Sequence, residues 1–438
     1  MKFSKFVHQF DLEDGVCLYH SLLLKKVYMS KDEWNLIKPH FNKDLNELSG
    51  ELNRLFDLGF IVSEGEDARL RELAIQKLNE PKKIHTMFLV LTEDCNFRCR
   101  CCYESDLKKD SHLSMNFDTA KRAINTFAKV TRHEIPRTIL FYGGEPLLEK
   151  QLVIDCLDYI TELEKENRLR RPTYKSITTN GTLLTEDLIK SLKKYGNLSI
   201  GLSFDGFEHN QNANRVYAGN KGTYKDVVSA IRLLNKYKME FSAICTVGTH
   251  NVYELEDIVK HFVEDLGIKS VAFNLLISKG DGKNPLEVSG ELAAKNIIKA
   301  YDYLNSKGCY EGRLSRQMIP FIEEKLYFFD CDASGSQVVV TPDGLVGPCV
   351  GFISSRRGFQ NKIDNFDIYN GENELYLKAS PIVMEECQNC ASIGICGGGC
   401  HYNRIMKEGD AYKPEKEFCN YANGVLKWMI EKSKPQKN

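Results

Sequence analysis

The sequence lacks any run of about 18 apolar residues, the length a helix needs to cross a bilayer, so no spanning helix is expected. It also lacks an excess of either charge. Lys and Arg number 59 against 60 Asp and Glu, a formal net charge of −1. No general field therefore favours nucleic acid or a membrane as partner. The opening residues, MKFSKFVHQFDLEDG, have no apolar h-region and carry acids early. No signal peptide is expected, and the expected compartment is the cytoplasm. What remains is ordinary for a globular chain: 42% hydrophobic and 27% charged residues over 438 positions, enough for two or three domains.

Cysteine, in contrast, is plentiful. Fifteen cysteines in such a chain read as metal ligands rather than disulfides, and they concentrate at 95–102 and 387–400. The first stretch reads CNFRCRCC. Cys95, Cys99 and Cys102 form a CxxxCxxC set just after the apolar run Met87–Leu91, a predicted buried strand. Three thiolates are one short of the usual four of a 4Fe–4S cluster. The iron left open binds and polarises a small molecule, which is a catalytic arrangement. A zinc knuckle is the alternative, although zinc sites more often pair CxxC.

CxxxCxxC resembles the cluster motif of the radical SAM superfamily. The resemblance implies S-adenosylmethionine on the open iron. It departs at Cys101, where relatives usually carry an aromatic residue near the adenine, which leaves Cys101 as a substitute ligand or an idle thiol. From 85 to about 307, strands and helices alternate. The predicted strands are Met87–Leu91, Thr138–Phe141, Lys175–Thr178, Leu198–Phe204, Phe241–Val247 and Ser270–Leu276. One helix is marked by Val252, Leu255, Ile258, Val259, Phe262, Val263 and Leu266. Repeated βα units give an α/β class with a parallel sheet. Six units match the partial (β/α)6 barrel, a TIM-like arrangement, that the resemblance implies.

Reactive residues then belong at the C-terminal strand ends. There stand Gly143, Gly144, Glu145 and Pro146, then Thr179 and Asn180, then Ser203 and Asp205. In this order they resemble the family's cofactor contacts. The glycine segment is implied to hold the amino group of the cofactor's methionine. Ser203 and Asp205 are implied to reach ribose hydroxyls or the carboxylate. Arg215 stands where relatives carry an arginine for that carboxylate, a role suited to its planar fork. The histidine of relatives four residues before it is Gln211 here, so His209 is not given its role. No catalytic side chain is assigned beyond the cluster.

From 331 onward the spacing is again ordered. A CxxCxxxxxCxxxC run with a distant final cysteine resembles the SPASM extension, which holds two auxiliary iron–sulfur clusters; zinc is the alternative. The resemblance implies Cys331, Cys349 and Cys400 at the first cluster and Cys387, Cys390, Cys396 and Cys419 at the second. Relatives often add a cysteine after the one matching Cys331, and here DASGSQVVV follows. The first cluster is therefore expected to have three cysteine ligands, with Asp332, a water or an open iron at the fourth place. The implied cofactors are three 4Fe–4S clusters and S-adenosylmethionine.

Residues 1–65 read as strands Phe6–Phe10, Val16–Tyr19 and Leu22–Met29, then helices Lys31–His40 and Lys43–Leu58, then a strand Phe60–Val62. Ser30 with Glu33 is a capping box. The pattern suits a winged-helix-like α+β module, which in related enzymes binds the leader of a precursor peptide; a plain cap on the barrel is the alternative. The remaining divisions are a linker at 66–84, the core at 85–307, a connector at 308–330, the SPASM domain at 331–425 and a tail at 426–438.

The resemblance implies an oxidoreductase that cleaves S-adenosylmethionine to a 5′-deoxyadenosyl radical. The expected substrate is a ribosomally made precursor peptide with a leader, crosslinked by a thioether or carbon–carbon bond. The expected electron donor is of flavodoxin or ferredoxin type. Two alternatives stand beside it. An anaerobic sulfatase maturase would carry an Asp base directly after the cysteine matching Cys349, where this chain has Val350. A non-catalytic zinc scaffold would bind proteins and cleave nothing.

Overall fold

The computed structural model describes residues 1–435 except 42, 46, 49, 104–112, 132–135, 170–171 and 279–282. The N-terminal strands are β1 (Lys2–Phe3), β2 (Val7–Leu12), β3 (Gly15–His20), β4 (Lys26–Ser30) and β5 (Ile61–Val62). β2, β3 and β4 form an antiparallel sheet with β3 in the centre, and β1 pairs with β5. The capping box forms: Ser30 N–H donates to Glu33 Oε2 at 2.7 Å, and Glu33 N–H donates to Ser30 Oγ at 3.2 Å. The helix it starts, Lys31–Ile37, runs into a 3₁₀ turn at Lys38–His40.

The second expected helix is shorter than its pattern, spanning Glu51–Asp57 instead of Lys43–Leu58. Gly50 at φ +51° bends the chain out of the helical path just before it; residues 46 and 49 of that stretch lie outside the described residues. The segment expected as a linker contains the helix Glu66–Leu78. β3 is buried along its whole length because alternate residues serve two cores. Val16 and Leu18 pack with Trp34 and Ile37, while Cys17 and Tyr19 join the main core.

All six predicted core strands form: β6 (Thr86–Thr92), β7 (Arg137–Gly143), β8 (Thr173–Thr179), β9 (Leu198–Ser203), β10 (Phe241–Val247) and β11 (Ser270–Leu275). They pair in parallel and in chain order. β6, reading TMFLVLT, is apolar almost throughout, as expected for a strand covered on both faces. The helix at 252–266 keeps its predicted buried face but widens to a π turn at His261–Asp265.

The sheet continues past these six. β12 (Tyr310–Glu311) adds in parallel to β11, within the expected connector. β13 (Gln337–Val340) adds in parallel to β6, placing Gln337 opposite Thr86 and Val340 opposite Leu89. β14 (Leu345–Gly347) and β15 (Asn361–Lys362) follow antiparallel. The result is one mostly parallel ten-stranded sheet with β12 and β15 at its edges. The described strands do not close on themselves into a barrel.

The helices Gly290–Ser306 and Lys416–Lys432 pack together behind the sheet. Gly290 makes this contact possible, because a Cβ there would lie 1.7 Å from Glu417 O. Its N–H donates to Glu417 Oε2 at 2.7 Å. Overpacking of this kind costs about 1–3 kcal/mol. Gly290→Ala is expected to lower the thermal midpoint accordingly, whereas Gly308→Ala, with nothing near its Cβ, reports only the strain of its φ of +68°.

Candidate functional site

Cys95, Cys99 and Cys102 leave the end of β6 and line one cavity of about 310 Å³. Their loop is held from three sides. Gly144 N–H donates to Thr92 O at 2.9 Å and Glu145 N–H to Asp94 O at 2.8 Å, tying β7 to it. A Cβ on Gly144 would lie 2.2 Å from Asp94 O, and one on Gly143 2.2 Å from Thr92 O. These glycines thus serve a backbone-to-backbone approach as well as lining the cavity. On the second side, Asn180 Nδ2 donates to Asn96 Oδ1 at 2.8 Å, and Asn96 Nδ2 donates to Thr182 Oγ1 at 3.0 Å. On the third, Arg98 N–H donates to Val216 O at 2.7 Å and Arg100 N–H to Asn214 O at 2.8 Å.

Gly143, Gly144, Glu145, Thr179, Asn180, Ser203 and Arg215 line the cavity; Pro146 and Asp205 do not. Pro146 is buried at the start of a 3₁₀ turn. The Glu145 carboxylate is also buried and accepts from Thr179 Oγ1 at 2.7 Å, Asn180 N–H at 2.8 Å and Leu147 N–H at 3.0 Å. Burial raises its pKa against these three bonds. Its geometry is that of a brace between β7 and β8.

Asp205, expected to reach ribose hydroxyls or the carboxylate, is fully buried and engaged within the protein. Arg215 grips it with Nε at 2.8 Å from Oδ2 and Nη2 at 3.0 Å from Oδ1. Asn214 Nδ2 donates to it at 2.6 Å and Thr246 N–H at 2.9 Å. Burial alone would raise the Asp205 carboxyl, but the Arg215 charge and His250, 3.5 Å away, hold it well below the usual carboxylate range. Arg215 Nη2 also donates to Thr246 Oγ1 at 3.0 Å while the guanidinium faces the cavity. His209 stands 63% exposed and pairs with Glu254, so it stays out of the site as expected. Gln211 instead is buried and accepts from Asp205 N–H at 2.9 Å.

Sequence reasoning missed Asn96, Thr246, Tyr103 and Tyr142. Tyr103 and Tyr142 both line the cavity with hydroxyls 2.7 Å apart. Their only signal is position: Tyr142 precedes Gly143 at a strand end, and Tyr103 follows Cys102. Cys101 lines the cavity too, its N–H donating to Asn214 Oδ1 at 2.9 Å.

A second cavity of about 390 Å³ shares Asn274, Leu275 and Ile277 with the first and reaches Cys331, Asp332 and Cys400. Cys349 is buried beside them, and the charges of Cys400 and Cys331 act on it after burial itself. Cys387, Cys390, Cys396 and Cys419 line a third, small cavity of about 20 Å³. Each predicted cysteine set is therefore gathered in space. Among the described residues no three such side chains converge on one ion; a cube of several irons spaces its thiolates more widely.

Three observations fit the sets to clusters. The backbone N–H two residues on donates to the sulfur at Cys95 (3.4 Å), Cys331 (3.5 Å), Cys349 (3.4 Å) and Cys396 (3.4 Å). Such bonds tune cluster sulfurs. Beside Cys400, both ring nitrogens of buried His401 and the Nε of Arg404 lack partners. Gly397, Gly398 and Gly399 have φ of +60°, +79° and +70°, and a Cβ on Gly397 would meet Asp330 N at 2.3 Å. Of the cysteines without spacing partners, Cys17, Cys156 and Cys245 are buried, but Cys309 is only half-buried.

Residues 89–262 match the Radical SAM superfamily. This segment is a radical SAM domain. The radical SAM cyclopropyl synthase TigE of Paramaledivibacter caminithermalis is 25% identical, over 94% of this chain and 88% of that protein. The cysteine-type anaerobic sulfatase-maturating enzyme of Clostridium perfringens is 26% identical, over 75% of this chain and 93% of that protein. Among solved structures, Streptococcus suis SuiB bound to its precursor peptide SuiA has a TM-score of 0.58 at 13% identity, covering 95% of this chain and 99% of that chain. That likeness is one of fold. The non-catalytic zinc scaffold is set aside by the superfamily match.

Arg215 depends on Asp205 for its place in the cavity wall. Asp205→Ala leaves the arginine buried without its carboxylate, at a cost of about 3–5 kcal/mol, read as a lower thermal midpoint and weaker S-adenosylmethionine binding by calorimetry. The pH sign follows from the depressed Asp205 pKa: the pair's stabilisation is full above the ordinary Asp range and is lost only as acid passes below it.

Proposed function

We propose that this enzyme is a maturase of ribosomally synthesised peptides, forming a thioether or carbon–carbon crosslink. When bound, a reduced 4Fe–4S cluster and S-adenosylmethionine supply a 5′-deoxyadenosyl radical that removes hydrogen from an unreactive carbon. Cys95, Cys99 and Cys102 hold that cluster. Arg215, held by Asp205 and Thr246 through Nε and Nη2, presents its remaining Nη1 to the methionine carboxylate. Gly143, Gly144, Thr179, Asn180 and Ser203 line the rest of the cofactor's berth.

One observation carries the reading: the cavity of Cys95, Cys99 and Cys102 and the cavity that reaches Cys331 and Cys400 share a wall at Asn274, Leu275 and Ile277. A peptide carbon at that wall meets the radical from one side and the auxiliary site of Cys331, Cys349 and Cys400 from the other. Holding both reactants in place removes much of the entropic cost of joining them. The first auxiliary cluster has three cysteine ligands, with Asp332 lining its cavity, and Cys387, Cys390, Cys396 and Cys419 hold the second. Residues 331–425 are then a SPASM domain behind a core at 85–307 and a connector at 308–330, with a tail at 426–438. Residues 1–65 form a winged-helix-like module that receives the leader, its sheet edge β2 accepting a further strand. A flavodoxin- or ferredoxin-type protein supplies electrons.

The similarity to a sulfatase maturase supports a second reading, formylglycine formation. Val350 weighs against it, because no proton acceptor follows Cys349.

Replacing Cys95, Cys99 and Cys102 together with Ala is expected to remove one cluster's iron and abolish 5′-deoxyadenosine formation under dithionite. With the precursor peptide, the unmodified enzyme should yield a product lighter by a pair of hydrogens. Undiminished 5′-deoxyadenosine from the triple variant would falsify the site. A formylglycine product would replace the crosslink reading with the second one.

A further inference from the structure

Arg404 is the bulkiest side chain buried completely among the described residues. Its Nη2 donates to Ala379 O at 3.0 Å, its Nη1 touches Met384 Sδ at 3.5 Å, and its Nε has no partner. No carboxylate among the described residues forms an ion pair with it. Glu415 is engaged instead by Lys407 at 2.7 Å and by Asn403. A guanidinium cannot shed its charge in a protein, and a buried charge without a partner is costly. The position is stable only if a negative group lies nearby.

The surroundings identify that group. Arg404 follows Cys400 by one helical turn in His401–Glu408, its N–H donating to Cys400 O at 3.1 Å. Residues four apart share a helix face. On the other side, the Met384 sulfur that Nη1 touches also lies 4.0 Å from Cys387 Sγ. A Cβ on Gly398, in the loop between Cys396 and Cys400, would stand 3.5 Å from Nη1. The guanidinium is thus wedged between the first cysteine set and the second. Burial pushes its pKa down, and the thiolates of Cys400, Cys396 and Cys387 oppose that shift.

We infer that Arg404 is the shared counter-cation of the two auxiliary clusters and sets both of their reduction potentials. This rests on the assignment of the two cysteine sets made above. A cube ligated by thiolates is anionic, and taking up one electron adds one more negative charge without forming or breaking a bond. A fixed cation between two such cubes stabilises the reduced form of each. It also couples them, since reduction of one weakens the pull of the cation on the other.

The experiment uses the full chain, reconstituted anaerobically with iron and sulfide. Iron for three clusters in the unmodified protein is required first; iron for one would overturn the auxiliary-site assignment itself, whatever Arg404 does. Redox titration with dithionite, followed by electron paramagnetic resonance, then compares Arg404→Gln with Arg404→Lys. Arg404→Gln is expected to lower both auxiliary midpoints. At a fixed potential the reduced fraction relative to oxidised should fall about tenfold, equivalent to ~59 mV for one electron. Arg404→Lys, which keeps the charge, should stay near the unmodified protein, and the midpoint of the Cys95 cluster should not move. Loss of auxiliary iron from Arg404→Gln but not from Arg404→Lys also supports a charge role. Unchanged auxiliary midpoints in an iron-replete Arg404→Gln protein would overturn the inference. So would equal shifts, or equal iron loss, in both variants, because shape and not charge would then be what matters.

Discussion

Two main-chain hydrogen bonds, Gly144 N–H to Thr92 O and Glu145 N–H to Asp94 O, fix the site on which the rest of the structure converges. They close only because neither Gly143 nor Gly144 brings a Cβ into the gap. The loop that begins at Cys95 is then placed by the sheet itself, before any metal arrives. Glu145 extends the tie to β8 through Thr179 and Asn180, and Asn180 returns it to Asn96. The chain thereby encircles the cavity with bonds between neighbouring strand ends. A site held in this way loses little entropy when its ligands engage.

The molecule handles its buried arginines in two ways. Arg215 brings its own carboxylate, Asp205, at bidentate distance, and that pair is satisfied within the protein. Arg404 has no such partner among the described residues and sits among cysteines instead. The contrast separates an arginine neutralised by a carboxylate of the protein from one held by a carbonyl and a thioether. Both are counted among the 59 Lys and Arg residues, but the count registers only a chain near neutrality.

Much of this was legible in the sequence. The six core strands announce themselves because a parallel sheet covered on both faces demands unbroken apolar runs, as in TMFLVLT of β6. The cysteine sets were legible because ligand spacing is set by local loop geometry. Sequence order puts Asp205 at a strand end, but only the fold reveals that Arg215 closes on it. Asn96 and Thr246 carry no motif, since their roles arise from contacts between distant strand ends. The shortened helix before Glu51 shows the limit of periodicity, which does not register a glycine at φ +51°. Arg404 could be seen as a basic residue a turn after Cys400, but its burial could not.

The pairing of β13 with β6 has a mechanical consequence. Cys95 leaves the end of β6, while Cys331 precedes β13 and Cys349 follows β14, so the two cysteine sets hang from adjoining strands of one sheet. The ladder hydrogen bonds from β6 to β13 and from β13 to β14 tie the anchors of both sets together. Groups bound at the two sets would keep a separation set by that ladder, and a change of shape near them would fall to the loops at the strand ends.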